Sequence, residues 1–383
     1  MMHIQDYQRY RILYTAAFSG NGSNPTTTIM TIVLPGSTVL VTGANGYIAA
    51  WIVRTLLEKG YRVRGTVRTQ DKGRALQKIF ERFETKFEFV VVPDITKDGA
   101  FDEAVQDVDA IAHTASPVNL TTVDPQDLIR PAVGGTESIL RSASRAGSKV
   151  RRIVYTSSVA AVLEVDPKPR TFTEENWNNQ SVTQIERDGK NNLPITKYRA
   201  SKTLAERAAW KFVEDNKAII EWDLVVMNPP LVIGPITHDV STPSELGLSA
   251  GYFYSMIVDH SDAGGNTPEE LRSTGGCWID VRDFAEAQVL ALQKDSVANE
   301  RVIVCAGPFV WQEWLDVANS LAPTYLPSHP NFPKGVPITD SDPEIVYQVQ
   351  YDTFKADRLL GLKYRSKEDL IKDTFADYEA RGW

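Results

Sequence analysis

The sequence predicts an α/β protein on a doubly wound parallel sheet, and three observations carry that prediction. Short β-rich runs alternate with longer helical ones, turn formers bound each run, and a glycine-bearing turn joins the first strand to the first helix. The strand runs are Thr38–Thr42, Arg62–Val67, Phe87–Val92, Val108–His113, Arg152–Ser157 and Asp223–Met227. Between the first two, Tyr47–Lys59 places Ile48, Ile52, Val53, Leu56 and Leu57 on one helical face, and Gly60 supplies the stop. Strand, helix and strand at this rhythm imply parallel pairing with helices on both faces. After Met227 the rhythm breaks into segments rich in Pro, Gly and Ser (Asn228–Pro235, Asp239–Gly251, Asp262–Gly276), then recovers in Trp278–Lys294 and Arg301–Gly307. The expected organisation is a main domain at 30–235 with returning elements at about 278–307. A smaller lobe from 236–277 and 308–383 would shape a substrate cleft. No internal repeat is found.

Of 383 residues, 42% are hydrophobic and 23% charged, with 14 Phe, 14 Tyr and 8 Trp, enough apolar material for a sizeable core. Forty-nine acids against 41 bases give a net charge of −8, which disfavours nucleic acid and anionic membranes as partners. No apolar run approaches the ~18 residues of a membrane span, and two cysteines, Cys277 and Cys305, are too few for a disulfide framework. A reducing, cytoplasmic setting is expected. The first 29 residues hold Asp6, Arg9, Arg11 and the polar tract Ser19–Thr28, and they read as a flexible extension. They could be a disordered leader, a weak targeting segment, or a stretch upstream of a working start at Met30; a secretory h-region is absent.

Thr42-Gly43-Ala44-Asn45-Gly46-Tyr47-Ile48-Ala49 leaves the first strand and opens the first helix, with the spacing G-x-x-G-x-x-A. In that context Gly43 permits a tight turn, Gly46 lets backbone approach a pyrophosphate, and Ala49 allows close helix packing. The free N–H groups and dipole of the helix start suit the anion. An ordinary βα turn with chance glycines is the alternative. The second strand bears on this, because an enzyme using NAD is expected to carry an acid about 20 residues past the glycines. Here Arg62, Arg64, Arg68, Lys72 and Arg74 face the single acid Asp71. That local excess of base points to a 2′-phosphate, hence NADP(H), with Arg68 and Lys72 the best placed; a solvated basic edge is the bland reading.

Tyr198 and Lys202 lie four apart at the start of a helical stretch running to about Val213, so they share one face. A cation beside a phenol is expected to lower its pKa and let it exchange a proton near neutral pH. The pair gains meaning because the fifth strand ends in Tyr155-Thr156-Ser157-Ser158, at the carboxyl edge where α/β sites lie. Strand alternation sends the two serines to opposite sides, so one of them can face the site.

Together with Asn228-Pro229-Pro230-Leu231-Val232-Ile233-Gly234-Pro235, these motifs resemble the extended short-chain dehydrogenases/reductases. Within that family the chain is most similar to dihydroflavonol-reductase-like proteins and to microbial NADPH-dependent aldehyde/ketone reductases. The likeness runs from about Met30 to the C-terminus and is strongest through Pro235. It implies a Rossmann-type fold and a Ser158–Tyr198–Lys202 triad. Tyr198 would be the general acid for carbonyl reduction, and Ser158, chosen over Ser157 on the family pattern, would polarise the carbonyl. Lys202 would lower the tyrosine pKa and bind the nicotinamide ribose. The implied NADPH contacts are Gly43, Asn45, Gly46, Tyr47, Ile48, Arg68, Lys72, the Asp94-Ile95 pair near adenine, and Thr114, Ala115 and Ser116 within Ala112–Pro117. Pro229, Leu231 and Val232 would flank the nicotinamide.

Departures from related patterns narrow the chemistry. Sugar-nucleotide dehydratases place Asp-Glu after the catalytic hydroxyl residue, whereas Ser158 is followed by Val159-Ala160-Ala161. Cinnamoyl-CoA reductases carry an Asn-Trp-Tyr-Cys segment before the tyrosine, where this chain reads Leu193–Tyr198, so CoA thioesters rank low as substrates. The five histidines show no metal-binding spacing. His113 is expected to be packed or hydrogen-bonded, Trp177 to wall the cleft or anchor a loop, and Asp283 to cap or anchor. Phe253, Tyr254 and Met256 could line an apolar cleft or belong to the core. The function expected is NADPH-dependent reduction of a small carbonyl compound by a monomer or homodimer. The alternatives are a hydroxysteroid or sugar-nucleotide dehydrogenase or epimerase, and a noncatalytic NADP(H) sensor.

Overall fold

The computed structural model describes residues 32–116, 120–145, 147–259 and 266–383. The expected extension at 1–29, and Pro117 of the cofactor segment, lie outside the described residues.

The elements follow in the order β1 (Thr38–Thr42), α1 (Tyr47–Glu58), β2 (Arg62–Val67), α2 (Gln70–Ile79), β3 (Phe87–Val91), β4 (Ala110–His113), α3 (Gln126–Ala143) and β5 (Arg152–Thr156). Next come β6 (Arg170–Phe172), α4 (Asn179–Asp188), α5 (Pro194–Asn216), β7 (Asp223–Asn228), β8 (Leu231–Ile233), α6 (Leu248–Tyr254), α7 (Pro268–Ser273) and β9 (Gly275–Asp280). The chain ends with α8 (Val281–Gln293), β10 (Arg301–Ile303), β11 (Gly307–Val310), α9 (Trp311–Tyr325), β12 (Val349–Tyr351), α10 (Phe354–Leu360) and α11 (Lys367–Arg381). Seven strands form one parallel sheet in the order β10-β7-β5-β4-β1-β2-β3. This is the doubly wound arrangement expected, and the strand order reverses between β1 and β4. All six strand runs read from the sequence are present, β1 and β2 with the same ends and the other four with one end that differs by one or two residues.

Alternation explains why the sheet is covered on both faces. Val39 and Val41 of β1 pack with Ile52, Val53 and Leu56 of α1 and with Ala285 and Val289 of α8, whereas Leu40 turns to Ile139 and Leu140 of α3. Helix α1 begins at Gly46 and ends against Gly60, whose φ of +91° suits a residue without a side chain. At the amino edge of the sheet, Arg152 and Asp223 form a buried two-bonded ion pair at 2.6 and 2.8 Å.

The later segments add a three-stranded sheet, β11-β9-β8, and a two-stranded one, β12-β6. Of the two recovered runs, the first takes in the end of β9 and all of α8, and the second contains β10, which joins the main sheet beside β7. Strand β9 starts three residues before the first run, inside the segment read as broken. Phe253 and Met256 are buried, and Phe253 meets Trp314 edge to face at 5.4 Å, so both belong to the core. Among the described residues, no helix is long and apolar enough to cross a membrane.

Candidate active site

The turn after β1 is shaped by its glycines. Gly43 has φ +64°, and a Cβ there would sit 3.2 Å from Ala115 Cα, so a side chain would be strained and crowded. Its N–H donates to Thr66 Oγ1 at 3.0 Å, and Ala44 N–H donates to the Thr66 carbonyl at 2.9 Å. Gly46 caps α1 without a side-chain hydrogen bond, is exposed, and leaves the first-turn N–H groups facing outward with no acid in that turn. Asn45 and Ile48 are half-buried beside it, while Tyr47 is buried and donates to the Gly234 carbonyl at 2.8 Å. An uncapped helix start behind a left-handed glycine suits a pyrophosphate.

The neighbouring loop is tied to this turn by Thr42. Its Oγ1 accepts from Thr114 N–H and Ala115 N–H, both at 3.0 Å, so its own proton goes to His113 Nδ1 at 2.8 Å. His113 therefore carries its ring proton on Nε2, which is buried without a partner. Burial, then the nearby Lys202 charge, push its pKa down to about 3. His113 is thus packed and hydrogen-bonded. Thr114, Ala115 and Ser116 are half-buried alongside.

At the end of β2 the basic residues divide. Arg62 donates to Thr38 Oγ1 at 3.1 Å, Arg64 is held by Glu88 and the Ala104 and Gln106 carbonyls, and Arg74 pairs with Asp71. Arg68 is exposed at the strand end, and Lys72 Nζ lies 3.6 Å from Asp239 Oδ2. Asp94, past β3, accepts from Thr96 Oγ1 at 2.7 Å and Thr96 N–H at 2.9 Å, bonds that lower its carboxyl pKa. Ile95 packs so closely on Gly135 of α3 that a Cβ there would lie 2.6 Å from its Cδ1.

Across the sheet edge, Pro194 opens α5, which carries Tyr198 and Lys202 on the face toward β5. Ser157 turns inward, donating to Glu206 Oε2 at 2.5 Å, whereas Ser158 stays partly exposed beside Tyr198. Ser158 Oγ also accepts from Ala160 N–H at 3.1 Å. The expected direction for the phenol is corrected here. Burial raises the Tyr198 pKa, a side-chain hydrogen bond with Ser158 opposes the rise, and Lys202 is not among the groups that shift it. Lys202 is itself buried, and desolvation pushes it down to about 8 against the upward pull of Glu206. The tyrosine is therefore held protonated. Past β7, Pro229 and Val232 are buried and Leu231 is half-buried; Val159 N–H donates to the Pro229 carbonyl at 3.0 Å.

Several residues near the site were not singled out from sequence: Thr42, Thr66, Glu206, Asn228, Asp239 and Arg301. The repeat Tyr198, Lys202, Glu206 at four-residue spacing was the available signal for Glu206. Asp239 had none, because its position depends on a loop path. Trp177 lies under the Arg301 guanidinium at 3.9 Å, and Asp283 accepts from Arg365 N–H at 2.7 Å, so both act as anchors. Asp280, rather than Asp283, caps α8 by accepting from Arg282 N–H at 2.8 Å.

Residues 39–306 match the family model described as the NAD dependent epimerase/dehydratase family. The chain is 36% identical over 345 residues to the NADPH-dependent methylglyoxal reductase GRE2 of Saccharomyces cerevisiae, covering 88% of this chain and 96% of that protein. It is 34% identical over 346 residues to the cinnamoyl-CoA reductase CAD2 of Medicago truncatula, covering 88% and 94%. The crystal structure of yeast methylglyoxal/isovaleraldehyde reductase Gre2 complexed with NADPH is similar at a TM-score of 0.73 and 32% identity, covering 90% of this chain and 99% of that one. Matched by that family model over most of its length and by relatives of this identity and coverage, the chain belongs to the NAD dependent epimerase/dehydratase family, among the extended short-chain dehydrogenases/reductases.

Proposed function

We propose that this protein reduces aldehydes and ketones to alcohols with NADPH, using Ser158, Tyr198 and Lys202. The observation that carries the reading is the meeting of the Ser158 hydroxyl with the protonated Tyr198 phenol, at the same sheet edge as the glycine turn. NADPH would be held by the Gly43–Ile48 turn, with Arg68 and Lys72 at the 2′-phosphate, and it would supply the hydride. The absence of an acid at the end of β2 and the NADPH-dependent relatives both support that choice over NAD. Ser158 orients the substrate carbonyl oxygen, and Tyr198 delivers the proton that the alkoxide needs. Burial suits this role, since an acid must be protonated before it can give. Lys202 keeps a positive charge under the site and would hold the nicotinamide ribose when NADPH is bound.

The same reading assigns residues 30–235 with the returning 278–307 to nucleotide binding, and 236–277 with 308–383 to substrate selection. Its partner is a small carbonyl compound rather than nucleic acid, in keeping with the charge of −8, and it works in the cytoplasm as a monomer or homodimer. The test is Tyr198→Phe. NADPH consumption with an aldehyde and ketone panel should fall at least ~100-fold while NADPH still binds by fluorescence. Retained turnover would remove Tyr198 from the mechanism. A cinnamoyl-CoA arm in the panel separates the thioester chemistry named for the Medicago relative.

A further inference from the structure

Behind the proposed triad lies a buried charged cluster. Glu206 is four residues past Lys202 and eight past Tyr198 on α5, so all three share one helix face. Its carboxylate is fully buried and has partners from three strands or strand ends. Arg301 of β10 pairs with it, Asn228 Nδ2 of β7 donates to it at 2.8 Å, and Ser157 Oγ after β5 donates at 2.5 Å. Asn228 Nδ2 also donates to the Ser158 carbonyl at 3.0 Å. Ser158 is therefore held from both sides by groups that Glu206 fixes.

Arg301 extends the cluster to the loop around Trp177. It donates to the Glu174 carbonyl at 2.7 Å, the Asn176 carbonyl at 2.6 Å and the Ala161 carbonyl at 3.3 Å, and its guanidinium lies over the Trp177 ring. A buried ion pair of this kind contributes little net stability compared with apolar packing of the same volume. Its hydrogen bonds to Ser157 and, through Asn228, to Ser158 tie it to the site instead. The groups around Lys202 are Tyr198 and Glu206 from its own helix and His113, neutral, from β4. Beyond them stand Tyr155 of β5, stacked on His113, and Arg301. Among these, Glu206 is the negative charge.

We infer that Glu206 is a positioning residue for the reduction: its carboxylate keeps Lys202 in the ammonium form in a buried site and, through Ser157 and Asn228, fixes the Ser158 turn. This rests on the triad reading given above. Neutralising Glu206 removes the favourable field on Lys202, so the ammonium loses its proton at lower pH.

The experiment compares pH profiles of kcat and kcat/KM for NADPH-dependent reduction in the wild type, Glu206→Gln and Glu206→Asp. The wild-type profile should fall above about pH 8. In Glu206→Gln that alkaline limb should move down by about one pH unit or more, with kcat lowered about tenfold or more at pH 8. Glu206→Asp retains the charge and should leave the limb near its wild-type position. Should Glu206→Gln fail to fold, Glu206→Gln combined with Arg301→Gln leaves no unpaired guanidinium behind and should show the same downward shift. A lowered Tm with an unmoved limb would make Glu206 a structural residue and overturn the inference. Tyr198→Phe in the same series separates the two claims: full activity there would refute the triad, whereas its loss with an unmoved Glu206→Gln limb refutes Glu206 alone.

Discussion

Reversing the charge at Arg68 tests the coenzyme assignment where the structure is most specific. Arg68 is exposed at the end of β2, while Arg62 and Arg64 are engaged with Thr38, Glu88 and two carbonyls. A unit charge about 4 Å from a phosphate charge is worth roughly 1 kcal/mol at the dielectric of water and about 4 kcal/mol at an effective value of 20. The exposure of Arg68 places it near the lower figure. Changing attraction into repulsion doubles that, so Arg68→Asp should cost roughly 2 kcal/mol, or about 30-fold in KM for NADPH. NADH has no 2′-phosphate and should change by less than about twofold. The penalty should also shrink as salt rises, because exposed charges are screened over ~10 Å at 0.1 M. Asp239→Asn is the complementary change. It releases Lys72 from a half-exposed pair worth at most about 1 kcal/mol, so KM for NADPH should fall by up to about fivefold with NADH unaffected. Steady-state kinetics with both coenzymes at two salt concentrations provide the measurement, with Arg62→Gln as the control that leaves selectivity intact. Equal penalties for NADPH and NADH in Arg68→Asp would refute the 2′-phosphate assignment.

Two further outcomes concern the scaffold around the cofactor turn. His113 is lowered to about 3 in the folded protein and is neutral there, but in the unfolded chain it takes a proton near pH 6.5. The unfolded state then binds more protons, so stability should fall with decreasing pH from about 6.5 toward 3, by up to about 1.4 kcal/mol per pH unit for this residue. His238, lowered to about 4, adds in the same direction. Urea midpoints between pH 7 and 5 should show the slope, and His113→Gln should flatten it; an unchanged slope would mean that His113 titrates in the native state. Gly43→Ala forces a Cβ into a φ of +64° and against Ala115, so it should lose about 1–2 kcal/mol of stability and weaken both coenzymes. Gly46→Ala has φ −76° and an exposed position, so it should keep its melting temperature while binding of both coenzymes weakens. The opposite ranking would place the pyrophosphate elsewhere.

What was legible in the sequence follows from which forces act locally. The strands β1, β4, β5 and β7 announce themselves because parallel strands covered on both faces must be apolar runs, and the glycine turn shows because a φ of +64° selects a residue without Cβ. The choice of Ser158 came from family pattern, since alternation could show that the serines diverge but not which one meets Tyr198. The direction of the Tyr198 shift is not legible in the sequence, as a spacing of four residues reports proximity to Lys202 and says nothing of burial. Desolvation is the largest influence on both groups. Glu206 shows the same limit most clearly. A glutamate four residues from a lysine on a helix normally reads as an exposed surface pair worth a few tenths of a kcal/mol. Here Arg301 arrives from 95 residues downstream, on a strand whose neighbour in the sheet is β7, and turns that position inward. A buried acid becomes intelligible once its counter-charge is in place, and sheet topology, which no local pattern encodes, delivers it.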